Sequence, residues 1–212
     1  MSRLLSAALS AFLLLLSPPP AAAQSYPPKD AGAADASFAA FREKLRTAAA
    51  AEDAESLAAL TSPRVKLSFG GDEGRAALRR RAQEPEFWSE LRRVLATPAG
   101  ADGSGGYAAP YWHLIEHQAA FDPFETYFVP GEAMLRGGPA PDAKVLRLIR
   151  HVMVRLAKPF EPAREDGPVA VELEDGSKGY VARSALISVL DYRAGFAKGP
   201  EGWRLQYFLA GD

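Results

Sequence analysis

The chain contains no cysteine. This absence excludes a disulfide framework, a thiolate metal site, a cysteine nucleophile and a lipid-modified cysteine anchor. Charge of one sign is also lacking, because 25 lysines and arginines face 26 aspartates and glutamates. Such a balance gives no electrostatic reason to expect a nucleic acid as the partner.

Long hydrophobic runs are missing from the chain beyond its first residues. The start, MSRLLSAALSAFLLLLSPPPAAAQS, has one arginine, an apolar stretch from Leu4 to Leu16, three prolines and three alanines. This order is typical of a secretory signal peptide. We therefore expect residues 1–23 to be removed after Ala23, leaving a periplasmic or secreted mature chain without a transmembrane segment.

The first part of the mature chain is predicted to be helical. Residues 24–35 are rich in proline, alanine and glycine, which favours a linker. Apolar residues recur at helical spacing from Phe38 to Ala48, with Ser37 as the expected N-cap. Asp53 is expected to cap a second, short helix.

Further elements follow from periodicity. Alternation over 65–69 predicts a half-buried strand, and helices are expected over 75–82 and 86–95. Beyond residue 125 the chain changes to short alternating strands, with a hairpin turn at Asp175-Gly176. The last residues predict a hairpin with a four-residue loop, whose buried face is formed by Trp203, Leu205 and Tyr207.

Two stretches carry a resemblance to a known family. AMLRGGPAPDAKVL (133–146) and VAVELEDGSKGYVARSAL (169–186) are similar to bacterial SH3-like (SH3b) domains. Arg136-Gly137-Gly138-Pro139 resembles the Arg-Ser-Gly-Pro turn of the family, and Tyr180 lies in a stretch that resembles its DGxxGYV motif. The resemblance implies a small β-barrel that binds peptidoglycan or a protein peptide, and it makes Arg136 and Tyr180 candidate binding residues.

The remainder resembles an NTF2-like α+β domain in the order of its elements over 38–74 and in its closing segment GWRLQYFLAGD (202–212). The expected fold class is therefore α+β. Residues 36–124 and 190–212 form one domain, and an all-β SH3-like barrel of residues 125–189 is inserted in it. In this arrangement the C-terminal hairpin packs on Phe38, Phe41 and Leu57.

A metal motif competes with this interpretation. HLIEH places His113, Glu116 and His117 in the H-x-x-E-H order of zinc peptidases. On a helix the two histidines share a face, whereas on a strand they are about 13 Å apart and cannot share a metal. A string with three fixed positions is a weak signal, and a structural or surface role for these histidines is the preferred hypothesis.

The aromatic residues Tyr107, Tyr111 and Trp112 beside a glycine-rich loop allow two interpretations. Exposed rings there could stack on a sugar or grip an extended peptide. Alternatively, they seal a seam between the two modules, and large aromatic side chains are usually buried.

The sequence thus predicts an exported, non-enzymatic binding or interaction protein of the bacterial periplasm or envelope. Its candidate partners are peptidoglycan or an envelope protein, and no cofactor is expected. Two alternatives stay open. One is a zinc-dependent hydrolase centred on His113, Glu116 and His117, and the other is a small-molecule pocket in the NTF2-like part.

Metal analysis of the purified mature chain separates these hypotheses. We expect far less than one tightly held zinc per chain, because a third ligand in a recognisable motif is missing from the sequence. About one zinc per chain, lost on His113→Ala, is the result that would establish the hydrolase alternative.

Overall fold

The structure is a computed structural model that describes residues 24–115, 120–157 and 167–211. The proposed signal peptide, residues 1–23, lies outside the described residues. The α-helices of the described part are Ala31–Ala34 (α1), Ala36–Ala50 (α2), Ala54–Ala59 (α3), Gly74–Arg81 (α4) and Pro85–Ala96 (α5). Short 3₁₀ helices lie at Tyr111–Leu114, Pro123–Glu125 and Arg183–Ala185.

The strands of the described part form two sheets. They are Thr61–Lys66 (β1), Gly100–Ala101 (β2), Tyr107–Ala109 (β3), Thr126–Arg136 (β4), Val145–Leu156 (β5), Pro168–Leu173 (β6), Lys178–Ala182 (β7), Ile187–Ser188 (β8), Arg193–Gly199 (β9) and Gly202–Leu209 (β10). Helices come first and most strands later, so the predicted α+β class is confirmed.

Local sequence patterns predict the positions of the helices well. The helices expected over 75–82 and 86–95 are α4 and α5. Asp53 caps α3 as predicted, because its carboxylate accepts from the backbone N–H groups of Glu55 and Ser56. Ser37 is not the N-cap of α2, since Asp35 accepts from the N–H groups of Ser37 and Phe38 instead.

The first sheet has the order β1-β10-β9-β3-β2. Its strand β1 begins earlier than predicted, at Thr61, and ends at Lys66 because it pairs in parallel with β10 from the far end of the chain. Phe69, expected on the buried face of this strand, is exposed.

The terminal hairpin is confirmed, although residues 200–201 alone connect its strands rather than four residues. Trp203 and Leu205 are buried as predicted, but Tyr207 is not. The register between β10 and β9 shifts between Leu205 and Tyr207, which breaks the alternation and places Phe208 in the core instead.

The helices pack on this sheet through an aromatic core. The ring centroid of Phe38 lies 5.2 Å from that of Phe196 and 5.0 Å from that of Trp203. Phe41 also contacts Phe196, and Leu57 belongs to the same buried cluster. The prediction that the C-terminal hairpin packs on these helices is therefore confirmed.

The second sheet lies in sequence between β3 and β9, which pair with each other in the first. Its pairings form a closed ring: β4 pairs with β5, β5 with β6, β6 with β7, and β7 with β4. The interior of the ring is filled by aliphatic side chains, among them Val129, Leu135, Val154 and Val171.

Residues 24–35 are not a free linker, which corrects the sequence prediction. The buried Tyr26 donates its N–H to the carbonyl of His151 in β5, at 2.6 Å. Asp30 accepts from the N–H of Ala99, at 3.1 Å, and pairs with Arg42. These interactions tie the segment to β5 of the second sheet, to α2 and to the residue that precedes β2.

Arg42 holds the junction between α2, α5 and the N-terminal segment. It is 5% exposed, and its guanidinium donates to the carbonyls of Leu95 and Thr97 at the end of α5. Burial lowers the pKa of Arg42 from its usual value, and the neighbouring Arg46 lowers it further. The carbonyls that end α5 thus receive a buried cation, the sign that the helix dipole favours.

We predict that Arg42→Ala lowers the free energy of unfolding by about 3 kcal/mol, because the carbonyl of Thr97 loses its guanidinium donor and Leu95 and Asp30 each lose one of their donors. Arg46→Ala is the matched control. Arg46 also donates to Leu95, but its side chain is 42% exposed, so we expect a loss of about 1 kcal/mol or less. Urea unfolding of the mature chain measures both, and equal losses would contradict the assignment.

Candidate functional site

Tyr111 and Trp112 lie in a buried cluster that we call the aromatic seam. Its buried members are Tyr26, Tyr111, Trp112, Phe128, Met153 and Val189. The indole of Trp112 stacks on Phe128 of β4, with ring centroids 5.0 Å apart. Tyr111 donates its hydroxyl to the carbonyl of Tyr26, at 2.6 Å, and burial raises the pKa of Tyr111 to about 12.

This geometry decides between the two interpretations of these aromatics. Tyr111 and Trp112 are 7% and 4% exposed, so neither offers a free ring face to a sugar or peptide. They join the segment after β3 to the outer face of the second sheet. For these two residues the structure agrees with the seam, which the usual burial of large aromatic side chains favours, and not with an exposed binding surface.

Tyr107 belongs to neither the seam nor an open surface. It lies in β3 with its ring half-buried against the aromatic core of the first sheet, 4.5 Å from the ring centroid of Phe38 and 5.3 Å from that of Trp203. The sequence grouped it with Tyr111 and Trp112, but the structure places it on the other side of Pro110, in a different cluster.

Arg136 and Tyr180 close the second sheet. They are the residues through which β4 and β7 pair. The close approach needs Gly179, because a Cβ there would lie 2.7 Å from the carbonyl oxygen of Arg136. Both side chains are half-buried, and Arg136 donates to the carbonyl of Ala143 in the β4–β5 connection.

The metal motif is described only in part. His113 lies in the 3₁₀ helix Tyr111–Leu114, is half-buried and has an interaction partner. Glu116 and His117 lie outside the described residues. Within 24–115, 120–157 and 167–211, no three histidines, aspartates or glutamates come together as metal ligands.

His151 lies inside β5. It has a positive φ of 53° and stands opposite Pro130 and Gly131, where the register of β4 against β5 shifts. This is a β-bulge. The bulge turns the His151 carbonyl to Tyr26. Burial and the nearby Arg150 lower the pKa of His151.

The space between the helices and the first sheet is occupied by side chains. Phe38, Phe41, Phe196 and Trp203 meet there with ring centroids 5.0–6.2 Å apart. A groove of about 520 Å³ lies elsewhere, beside the seam, and is lined in part by Tyr26, Lys29, Tyr111 and Leu114.

The sequence reasoning missed one surface, which we call the hairpin tip patch: Met134, Val145, Leu146 and Leu148. These are four of the six large hydrophobic side chains that the described part exposes. Met134 and Leu148 are direct cross-strand partners, and Leu146 packs over Gly137. The apolar residues on both faces of β5 were the signal that could have revealed it.

Comparison with known proteins adds little to this geometry. No family model and no curated protein matches the chain. A solved NTF2-like protein with a cystatin-like fold from Novosphingobium aromaticivorans is similar at 17% identity over 84% of both chains, with a TM-score of 0.26. Over the described residues, no helix combines the length and apolar character needed to cross a membrane.

We predict that Tyr111→Phe lowers the free energy of unfolding by about 1–2 kcal/mol, because the buried carbonyl of Tyr26 loses its donor. Tyr180→Phe is the matched control, since its hydroxyl makes no hydrogen bond within the described part. Chemical denaturation of the mature chain measures both changes. If Tyr111→Phe is as stable as Tyr180→Phe, the hydrogen bond from Tyr111 to the carbonyl of Tyr26 does not stabilise the protein.

Proposed function

We propose that this chain is an exported binding protein of the bacterial envelope. Residues 125–189 form its SH3-like binding module, and residues 36–124 with 190–212 form the α+β body that carries it. The contact surface is the hairpin tip patch. The patch contains only Met, Val and Leu side chains, so it offers apolar contact and no groups for proton transfer or nucleophilic attack.

The SH3-like assignment of the module is supported by the ring of strands and by the two glycines of the DGxxGYV motif. Gly176 has a φ of +79° in the turn between β6 and β7, a conformation that suits glycine. Gly179 lets β7 approach β4. Asp175 accepts from Ser177 and Arg147; although burial acts to raise the pKa of Asp175, these hydrogen bonds lower it.

The observation that carries the proposal is the contrast between the two ends of one hairpin. The outer face of β4 and β5 is apolar at its base, where Phe128 and Met153 are cross-strand partners. These two residues are completely buried in the aromatic seam, where Tyr26, Tyr111, Trp112 and Val189 pack with them. The same face is apolar again at the tip, where Met134 and Leu148 are 49% and 56% exposed. Contiguous apolar surface of this kind marks an interaction site.

Export is supported by the composition of residues 1–23, which is typical of a secretory signal peptide. Ser25 and Tyr26, close after the proposed cleavage site, hydrogen-bond to β5. The segment from Ser25 to Asp30 then becomes the anchored start of the mature chain.

The test compares retention of mature protein on a washed bacterial envelope fraction and on purified sacculi. The tip variant is Leu146→Ser/Leu148→Ser. The matched control is Phe124→Ser, which removes another exposed hydrophobic side chain, 68% exposed, outside the patch. We expect the tip variant to be retained about tenfold less than the wild type and the control, since two exposed leucines are lost from the contact surface.

Equal retention of all three proteins on both materials would reject the patch as the contact surface. The unfolding midpoint of each variant is measured alongside, and the variants are expected to unfold like the wild type because both leucines are exposed.

A further inference from the structure

We infer that the hairpin tip patch docks on the surface of an anionic lipid bilayer. This inference rests on the proposed function and names the partner of the same site. It follows from three properties of the hairpin: the position of its apolar residues, the charge beside them and the area they offer.

The apolar residues are concentrated where the hairpin ends. Val145 and Leu146 follow directly on the connection of residues 137–144, and both are exposed because the register shifts between Leu135 and Arg136. Met134 and Leu148 form the next pair inward. A hairpin end with consecutive apolar side chains can enter the interfacial zone of a bilayer without unfolding, since the backbones of β4 and β5 are paired with each other up to Arg136 and Val145.

The charge beside the patch is positive, although the whole chain has a formal net charge of −1. Between residues 132 and 150 there are four cations, and with Asp175, the partner of Arg147, the carboxylates beside them are Glu132, Asp142 and Asp175, so one positive charge remains. Arg150 pairs with Glu132, and Arg147 pairs with Asp175. Arg136 and Lys144 form no ion pair with any residue of the described chain, so their charge is available to an anionic partner.

Arg136 is also held at the margin of the patch. Its guanidinium donates to the carbonyl of Ala143, at 2.8 Å, and lies 3.2 Å from the sulfur of Met134. An apolar surface with cations at its margin is the combination by which peripheral proteins bind anionic membranes.

The area favours a bilayer over a second copy of the chain. Four side chains that expose about half of their surface amount to a few hundred Å². A stable protein interface buries about 800 Å² on each partner. Shallow insertion needs no such area, because apolar burial and charge attraction add up.

The test measures co-sedimentation of the chain from Gln24 to Asp212 with vesicles. Residues 1–23 are omitted from every protein because their apolar stretch would itself enter the vesicles. Vesicles of equal parts phosphatidylcholine and phosphatidylglycerol are compared with phosphatidylcholine alone. We expect the wild type and Phe124→Ser to bind the anionic vesicles about tenfold more strongly than the neutral ones.

Two variants separate the contributions. Leu146→Ser/Leu148→Ser is expected to lose about tenfold in binding to anionic vesicles. Lys144→Glu is expected to lose about tenfold on anionic vesicles and to bind neutral vesicles like the wild type. Lys144 makes no side-chain hydrogen bond or ion pair in the described part, so this variant keeps the fold.

Equal binding of wild type and tip variant to anionic vesicles, or no vesicle binding by any protein, would overturn the lipid inference. In the second case, patch-dependent retention on sacculi or on envelope fractions would leave the proposed function intact and identify a cell-wall or protein partner. Loss of patch dependence on every material would reject both.

Discussion

The outer face of the β4–β5 hairpin is the constraint on which the rest of the structure depends. An antiparallel sheet that fills a closed ring with aliphatic residues still has a second face, and here that face is apolar at its base. Phe128 and Met153 must be covered. Trp112 stacks on Phe128, and Tyr111 and Tyr26 complete the cover. The two sheets are joined because the apolar outer face of this hairpin is buried by side chains from other segments.

The β-bulge at His151 fixes where the N-terminal segment attaches to the second sheet. A regular ladder would point the carbonyls of β5 only at its neighbours in the sheet. The register shift and the positive φ of His151 turn its carbonyl outward, where it accepts from the N–H of Tyr26. Tyr26 in turn presents its own carbonyl to Tyr111. A short N-terminal segment therefore gains hydrogen bonds that a flexible linker would lack.

The same hairpin explains why binding is proposed at its tip. Its apolar residues are divided between a part that the protein covers and a part that it leaves open. Between them lies the exposed ion pair of Glu132 and Arg150, which separates the seam from the hairpin tip patch. Intramolecular packing uses the base, and Met134, Val145, Leu146 and Leu148 are left for another surface.

How far the sequence predicts this protein depends on how local each signal is. The cap at Asp53, the helices α4 and α5 and the turn at Gly176 depend on neighbouring residues, and the sequence predicts them. The start of β1 depends on pairing with β10, more than 130 residues away, and was placed too late. Tyr207 was assigned to the wrong face, because alternation cannot anticipate the register shift at Gln206.

For the candidate site, less could be predicted from the sequence than for the fold. The sequence by itself determined that the chain has no thiol chemistry, that its fold is α+β and that aromatic residues cluster around Pro110. Only the tertiary structure decided that Tyr111 and Trp112 are buried while Leu146 and Leu148 are exposed. The physical reason is that hydrophobicity is a property of a residue, whereas burial depends on which distant segment arrives to cover it.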